Sequence, residues 1–300
     1  MTERAIPRLA LVGGLTGLYR SGLSMQLPVL SCMGIQACPF PTASASAHAA
    51  LPDAVLDIKD NLAAWVKHWI WSGVRFDALL AGEVFTKEQA THIVEICEHM
   101  LVPGAPFLLN PSFADDGKIY AARDAQAVEI QRNLCGYATI ITPNLTEACM
   151  LTKTQHPHGP CTRAQIATLM RRMLDLKSGN VVITGIPIGD GQVANVCAAV
   201  GDENISMLTY RDQPGKRIGT DDFFAATLLG RFVRGISLTQ SMIFASGWTS
   251  YTAERTASVG TPAQDGLLIE LVMPLLATTG SGSPVDAENE RTVQFLRIDE

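Results

Sequence analysis

The stretch Leu9-Ala10-Leu11-Val12-Gly13-Gly14 sets the fold class of this chain. Four apolar residues followed by glycines are typical of a buried strand that ends in a tight turn. After that turn the sequence predicts a helix near Leu23–Met33 and a second strand over Ile35–Phe40. A strand, a helix and another strand in this order are typical of a parallel sheet whose strands are connected by helices.

The same alternation continues along the chain. Strands that alternate with helices of roughly 10 to 18 residues indicate a mostly parallel sheet that is covered by helices on both faces. Further helices are predicted over Ala54–Ser72 and Thr86–Leu101, and further strands over Phe76–Ala81, Ala105–Leu109, Ala138–Ile141 and Val181–Thr184.

The last third of the sequence has a different pattern. Gln192–Val200 and Asn204–Tyr210 have no helix between them, which predicts an antiparallel hairpin at one edge of the sheet. The pattern is helical from Asp222 to Ala277, and Thr292–Arg297 is a candidate last strand. Because no internal repeat or linker divides the sequence, the prediction is a single α/β domain over residues 1–300.

The composition excludes several classes of function. The net charge is −6 and there is no run of Lys or Arg, which argues against nucleic acid and acidic membrane surfaces as partners. The seven cysteines form no C-x-x-C pair, as is typical of buried thiols in a reducing compartment. His156-Pro157-His158 is interpreted as a pair of loop histidines rather than as metal ligands. Since no apolar stretch approaches the length of a membrane span, we expect a cytoplasmic protein.

The run Gly219-Thr220-Asp221-Asp222 precedes the apolar residues 223–229 and predicts a tight turn at the start of a buried helix. A helix start has unpaired backbone N–H groups and a partial positive charge, so it attracts phosphate oxygens. A carboxylate beside such an anion site can take a proton from an attacking hydroxyl, as phosphoryl transfer to an alcohol requires. The same residue types also fit a simple helix cap, so both interpretations stay open for this run alone.

In parallel sheets, ligands bind beyond the carboxyl ends of the strands. In the turn Thr142–Glu147, Asn144 and Glu147 have the spacing of an N-cap residue and its N3 partner. These two residues can therefore cap a helix instead of binding a ligand. The predicted turns at these ends are Gly13–Gly22, Pro41–Ala50, Gly82–Phe85, Asn110–Tyr120, Thr142–Glu147, Thr184–Ile188 and Gly219–Asp222.

Five segments occur in the order found in one enzyme family: Pro39–Thr42 (PFPT), Asp115–Tyr120 (DDGKIY), Ile141–Ala148 (ITPNLTEA), Val181–Gly185 (VVITG) and Gly219–Asp222 (GTDD). On these segments the chain resembles the pyridoxal/pyridoxine/pyridoxamine kinases of the ribokinase-like superfamily, from about Arg8 to Ala277. The resemblance implies a three-layer α/β sandwich and a homodimer. It also implies ATP-dependent phosphorylation of the 5′-hydroxymethyl group of vitamin B6.

The resemblance implies a role for each candidate residue. Asp222 would be the general base, and the amides of Gly219, Thr220, Asp221 and Asp222 would hold the transferring phosphate. Glu147 would position Mg²⁺ through water, in competition with the capping interpretation. The loop Asp115–Tyr120 is similar to a flap that closes over the nucleotide. Nucleotide-side residues would be Asn110, Asp115, Asn144, Thr184 and Gly185, and vitamer-side residues Thr16, Thr42 and His48.

The chain departs from the family pattern at several of these positions. Asp221 replaces the glycine of the usual Gly-Thr-Gly-Asp, Asn110 replaces an aspartate, and Ala47 replaces an asparagine. Three hypotheses therefore stand beside one another: an active B6-vitamer kinase, a kinase for hydroxymethylpyrimidine or a related ring alcohol, and a catalytically impaired relative that binds a vitamer or nucleotide.

Overall fold

The computed structural model describes residues 6–47, 55–57, 59–120, 123–176, 178–212, 217–279 and 292–298. The predicted vitamer-side residue His48 lies outside these ranges. The strands are β1 (Arg8–Leu18), β2 (Gln36–Ala47), β3 (Val55–Asp57), β4 (Ala78–Gly82), β5 (Phe107–Asn110), β6 (Ala114–Asp115), β7 (Lys118–Ile119), β8 (Ile140–Ile141), β9 (Asn180–Gly189), β10 (Gln192–Ala199), β11 (Asn204–Arg211) and β12 (Thr292–Arg297).

Helices connect most of the strands and cover the sheet. The α-helices are α1 (Leu23–Cys32), α2 (Lys59–Trp71), α3 (Lys87–His99), α4 (Ala125–Cys135), α5 (Leu145–Leu151), α6 (Arg163–Leu174), α7 (Thr220–Phe232), α8 (Leu238–Ser258) and α9 (Met273–Thr279), with short 3₁₀ turns at Ala263–Asp265 and Ile269–Leu271. None of the helices in the described ranges is both long and apolar enough to span a membrane.

Ten strands form one sheet in the order β12-β11-β10-β9-β8-β5-β4-β1-β2-β3. The strands from β9 to β2 in this order are parallel to one another, whereas β10, β11, β12 and β3 are antiparallel to their neighbours. The predicted mostly parallel sheet and antiparallel hairpin are confirmed, and β12 extends the sheet one strand beyond that hairpin. Strands β6 and β7 form a separate two-stranded hairpin.

The two faces of the sheet bury separate cores. In β1, Ala10 and Val12 pack with helices α2 to α6, whereas Leu9 and Leu11 pack with α1, α7, α8 and α9. Adjacent side chains of a strand point to opposite faces, so the apolar run predicted as β1 serves both cores. The result is the three-layer α/β sandwich that the resemblance implied.

Two predicted strand ends are wrong in the same direction. Gly13 and Gly14 were predicted as a turn but lie inside β1, where the ladder with β2 is irregular. A side chain at Gly14 would collide with the carboxylate of Glu83, so glycine there admits a neighbour rather than a turn. Pro41 was predicted to begin a loop, yet β2 continues through it to Ala47. Within the described residues β2 has an outer partner only at positions 43–45, and proline is tolerated where no outer ladder needs its N–H.

The predicted helix over Ala54–Ser72 also starts later than expected. Its first part is the short strand β3, which pairs with the outer side of β2, and α2 begins at Lys59. Other helix starts agree with the prediction, because Thr86 and Thr162 both form complete capping boxes with the glutamine three residues later.

Candidate active site

Asp222 lies in the first turn of α7 and is 7% exposed. Its Oδ2 accepts a hydrogen bond from the Gly22 backbone N–H at 2.7 Å, and its Oδ1 accepts one from Gln26 Nε2 at 3.0 Å. Gly219 precedes the helix in the left-handed conformation, with φ 84°. The turn therefore delivers the carboxylate to the segment that follows β1.

The environment of Asp222 favours its neutral form. Burial is the main reason that its pKa rises to about 7, and the negative charges of Glu83 and Asp221 raise it further. The hydrogen bonds from Gly22 and Gln26 act in the opposite direction. A carboxyl group with a pKa close to neutral pH is well matched to accept and release a proton in catalysis.

Glu83 belongs to this site, although sequence reasoning did not select it. It follows β4 directly, with a positive φ of 53°, and its Oε2 accepts a hydrogen bond from the Gly14 backbone N–H at 2.8 Å. A Cβ on Gly22 would lie 3.0 Å from the same Oε2, so Gly22 lies between the carboxylates of Glu83 and Asp222. The available signal was an acidic residue immediately after a buried parallel strand, inside the predicted turn Gly82–Phe85.

We predict that Glu83→Gln lowers the pKa of Asp222, because Glu83 is the largest electrostatic cause of its elevation. Glutamine keeps an oxygen for the Gly14 N–H. The acidic limb of the pH profile of kcat/KM should therefore move to lower pH. The matched control is Glu88→Gln, which makes the same change at an exposed residue of α3. An identical limb in Glu83→Gln and wild type would contradict this coupling.

Glu147 lies in the first turn of α5, is 2% exposed and forms the capping box with Asn144. Its Oε2 accepts from the Asn144 N–H at 3.0 Å, and its Oε1 accepts from the Phe113 N–H at 2.7 Å. Burial raises its pKa to about 8, with a further contribution from Asp221. The capping interpretation is thus observed directly, and a role toward a metal ion stays a prediction.

The other nucleotide-side candidates surround Glu147. Asn144 accepts from the Glu147 N–H at 2.9 Å and donates its Nδ2 to the Ala114 carbonyl at 2.8 Å. Asn110 ends β5, and its Oδ1 accepts from the Thr142 hydroxyl at 3.3 Å while its buried Nδ2 has no partner among the described residues. Asp115 lies in β6, so the segment predicted as a flap is a β-hairpin.

Thr184 and Gly185 were predicted at the end of a strand, but they lie within β9. The register between β9 and β10 shifts at this point, so that Asn195 of β10 lies opposite both residues as in a β-bulge. The Gly185 N–H donates to Asn195 Oδ1 at 2.9 Å, and Asn195 Nδ2 donates to Ser246 Oγ at 2.8 Å. Asn195 is a second residue that sequence reasoning missed, because its role depends on a pairing irregularity.

On the vitamer side, Thr16 and Thr42 are both buried. Thr16 Oγ1 accepts from the Ser21 N–H at 3.1 Å and thereby shapes the segment that leads to Gly22. The Thr42 hydroxyl is 3.5 Å from the Glu83 carbonyl oxygen. Thr16 therefore supports the segment that contacts Asp222, and Thr42 lies next to the backbone of Glu83.

Tyr120 is influenced by carboxylates from both the predicted nucleotide side and the predicted acceptor side of the site. Burial raises the pKa of its phenol, and the charges of Asp221, Glu147, Asp115 and Asp222 raise it further, in that order. Asp221 itself is exposed on the first turn of α7. The residues predicted for the nucleotide and those predicted for the acceptor thus share one acidic neighbourhood.

The donors in this neighbourhood fit Mg²⁺ better than a tightly ligated metal. Within the described ranges no three His, Cys, Asp or Glu side chains converge as metal ligands. Mg²⁺ keeps several waters and uses one or two carboxylates together with substrate phosphates, which suits the single buried carboxylate of Glu147.

The fold is similar to solved structures over almost its whole length. A candidate phosphomethylpyrimidine kinase from Bacteroides thetaiotaomicron has 25% identity and a TM-score of 0.89 over 99% of this chain and 100% of that chain. A second crystal form of that protein, with pyridoxal, has 25% identity and a TM-score of 0.85 over 96% and 100% of the chains. The pyridoxal kinase from Lactobacillus plantarum has 23% identity and a TM-score of 0.82 over 92% and 98%.

The sandwich, the acidic helix start of α7 and these likenesses together define a ribokinase-like kinase, which is a phosphotransferase. The chain belongs to the phosphomethylpyrimidine kinase family, whose sequence model matches residues 21–265. Its resemblance to the pyridoxal kinases, stated from five short segments, is confirmed. No curated protein matches the sequence.

Proposed function

We propose that this kinase transfers the γ-phosphoryl group of ATP to the 5′-hydroxymethyl group of a B6 vitamer: pyridoxal, pyridoxine or pyridoxamine. The observation that carries the proposal is Asp222, a buried carboxyl group with a pKa of about 7 in the first turn of α7. A group with this pKa is available as a base at neutral pH, and the helix start beside it suits a phosphate.

In the proposed reaction, Asp222 accepts the proton of the hydroxymethyl group. The hydroxymethyl oxygen forms the new bond to phosphorus while the bond from phosphorus to the leaving oxygen of ADP breaks. The first-turn N–H groups of α7 lack partners within the helix and face the charge that develops on the transferring phosphoryl group. Gly22 and Gln26 hold Asp222 in one orientation during this transfer.

The nucleotide side is proposed around Glu147. Glu147 would hold Mg²⁺ through water, and the ion would supply charge neutralisation to the phosphates. The buried Nδ2 of Asn110, which has no partner among the described residues, suits a phosphate oxygen. Thr184 and Gly185 contact the nucleotide from β9 in this proposal, and Asp115 does so from the β6–β7 hairpin. Two such chains form the homodimer that the resemblance implies.

Two comparisons support a vitamer as the acceptor. The Bacteroides thetaiotaomicron protein has 25% identity and was crystallised with pyridoxal. The pyridoxal kinase from Staphylococcus aureus, at 16% identity, was crystallised with AMP-PCP and pyridoxal. The second candidate acceptor is a hydroxymethylpyrimidine, which is favoured by the name of the matching family and by Ala47, where the resemblance would place an asparagine.

A coupled assay of ADP release decides between the acceptors. Pyridoxal, pyridoxine, pyridoxamine and hydroxymethylpyrimidine are compared at equal concentrations with MgATP. We expect the highest kcat/KM with one of the three vitamers. A preference for the pyrimidine over every vitamer would replace the proposal by its second candidate. Calorimetric binding of MgATP without turnover of any acceptor would instead identify a binding protein.

We predict that Asp221→Gly increases kcat at pH 7. The charge of Asp221 raises the pKa values of both Asp222 and Glu147, so its removal leaves more of each group ionised. Because Asp221 is exposed, solvent screens the charge, and we expect a gain of only about three- to tenfold. Unchanged kcat with a weaker response to Mg²⁺ would contradict the prediction that the charge of Asp221 lowers activity. It would instead identify Asp221 as a metal partner.

A further inference from the structure

The first turn of α5 binds the main chain of the neighbouring β6–β7 hairpin through three side chains. Each of the three contacts a backbone group, and together they follow the segment that forms the first strand and the turn of the hairpin. Asn144 Nδ2 donates to the Ala114 carbonyl at 2.8 Å, Glu147 Oε1 accepts from the Phe113 N–H at 2.7 Å, and Thr146 Oγ1 accepts from the Gly117 N–H at 2.9 Å.

The contact from Thr146 is the one that reaches the turn of the hairpin. Asp116 and Gly117 form this two-residue turn, and both have positive φ, at 49° and 74°. Each strand of the hairpin has two residues. A hairpin this short is not stable alone in water, so its position depends on contacts with the rest of the protein.

A histidine that the sequence analysis set aside completes this contact. His156 Nδ1 lies 2.9 Å from the Pro157 carbonyl oxygen, and its Nε2 lies 3.2 Å from Thr146 Oγ1. A carbonyl oxygen can only accept, so in the neutral ring Nδ1 carries the proton and Nε2 accepts from the Thr146 hydroxyl. That leaves the Thr146 oxygen with a lone pair directed to the Gly117 N–H.

The hydrogen bonds therefore form one chain in a single direction. The Gly117 N–H donates to Thr146, the Thr146 hydroxyl donates to His156, and His156 donates to Pro157. Thr146 is 2% exposed, so water does not replace these bonds when one of them is removed. The ring of His156 also packs against the turn, since a Cβ on Gly117 would lie 3.6 Å from Nδ1.

We infer that Thr146 and His156 are positioning residues that fix the turn of the β6–β7 hairpin on α5 and so hold the hairpin ready for the nucleotide. The inference rests on the proposed function, because the hairpin is the segment that carries the nucleotide-side candidate Asp115. In this proposal neither residue touches the acceptor or the transferring phosphoryl group, because their hydrogen bonds run to the hairpin turn and to Pro157. Both act by lowering the cost of ordering the hairpin when ATP binds.

The expected result is a selective effect on ATP. Thr146→Val keeps the branched shape and removes the hydroxyl, and we expect KM for ATP to rise about three- to tenfold, the effect of one buried hydrogen bond. KM for the acceptor should stay within about twofold, because the acceptor side lies around Asp222. Thr146→Ser should restore KM for ATP, since serine supplies the same hydroxyl.

The control is Thr152→Val, which removes a hydroxyl from the other end of α5. Thr152 Oγ1 bonds to the Ala148 carbonyl within the helix and to Thr154 Oγ1, and not to the hairpin. His156→Phe keeps an aromatic ring beside Gly117 but removes both nitrogens. If the two residues act through one chain of hydrogen bonds, the double variant should be no worse than Thr146→Val alone.

Hydrogen exchange separates this inference from the proposed function. In the substrate-free protein, the Gly117 amide should exchange faster in Thr146→Val than in wild type. Its exchange rate in Thr152→Val should equal that of wild type. Failure of wild type to turn over any acceptor would reject the proposed function and leave this measurement to decide the inference. Equal Gly117 exchange in Thr146→Val and wild type, or an equal rise in KM for ATP and for the acceptor, would overturn it.

Discussion

Asp222→Asn should lower kcat by about 10²- to 10⁴-fold, the contribution typical of a positioned general base. Asparagine has nearly the same shape but cannot accept the proton of the hydroxymethyl group. The variant should still fold, because its amide oxygen can accept from the Gly22 N–H. Gln26 Oε1 has no partner among the described residues, so a rotated Gln26 amide can accept from the new NH₂ group.

The same variant should be more stable than wild type at alkaline pH. Folding raises the pKa of Asp222 from its ordinary value of 3.8 to about 7, so the folded state prefers the neutral carboxyl group. Wild type loses stability as the unfolded chain ionises between about pH 4 and pH 7, and the loss is complete above the folded pKa. The gain of Asp222→Asn should be small at pH 4 and on the order of 4 kcal/mol at pH 8.

Turnover and thermal unfolding at both pH values check the prediction, with Asp221→Asn as the matched change one residue earlier. Asp221 is exposed, so its replacement should not produce the same alkaline stabilisation. Equal kcat in wild type and Asp222→Asn would reject Asp222 as the base. A gain in stability that is the same at pH 4 and pH 8 would reject its raised pKa.

Gly219→Ala should destabilise the protein by on the order of 2–4 kcal/mol and abolish most of its activity. Gly219 has φ 84°, a conformation that costs an L side chain free energy. An added Cβ would also overlap the Arg20 carbonyl oxygen and lie 2.7 Å from Met25 Cε. To relieve these contacts, the start of α7 has to move away from α1, and Asp222 moves with it.

The opposite end of α7 offers a matched control. Gly235 also has a positive φ, 79°, but a Cβ there would meet nothing within 4 Å. Gly235→Ala should therefore cost only the backbone term, about 1 kcal/mol, and leave kcat close to wild type. Chemical denaturation of the two variants measures the difference. Equal losses of stability would show that the packing around Gly219 does not matter.

The architecture could be predicted from the sequence because it depends on regular patterns. The apolar run at Leu9–Val12 and its successors fixed the alternation of strands and helices, and local capping residues such as Thr86 fixed helix starts. Boundaries failed where a neighbour in space decides the outcome. Gly14 has to be glycine because the Glu83 carboxylate lies against it. Pro41 is tolerated in a strand because β2 has no outer partner at that position among the described residues.

Some residues of the candidate site could be predicted from local sequence patterns, and others could not. Asp222 and Glu147 could be selected from their places at helix starts. The resemblance alone selected residues such as Thr16, and their roles stay predictions. Glu83, Asn195 and the link from Thr146 to His156 depend on contacts between distant segments, which no local pattern encodes.

The hydrogen bonds between α5 and the β6–β7 hairpin have a consequence for protein engineering. The three bonds from this helix end on main-chain atoms of residues 113, 114 and 117, so they make no demand on most side chains of the hairpin. Position 118 can therefore be diversified in a library without releasing the segment, whereas position 116, with its positive φ, suits only Gly, Asn or Asp. Because the hairpin is proposed to contact the nucleotide, screening such a library tests whether this segment sets the preference among nucleoside triphosphates.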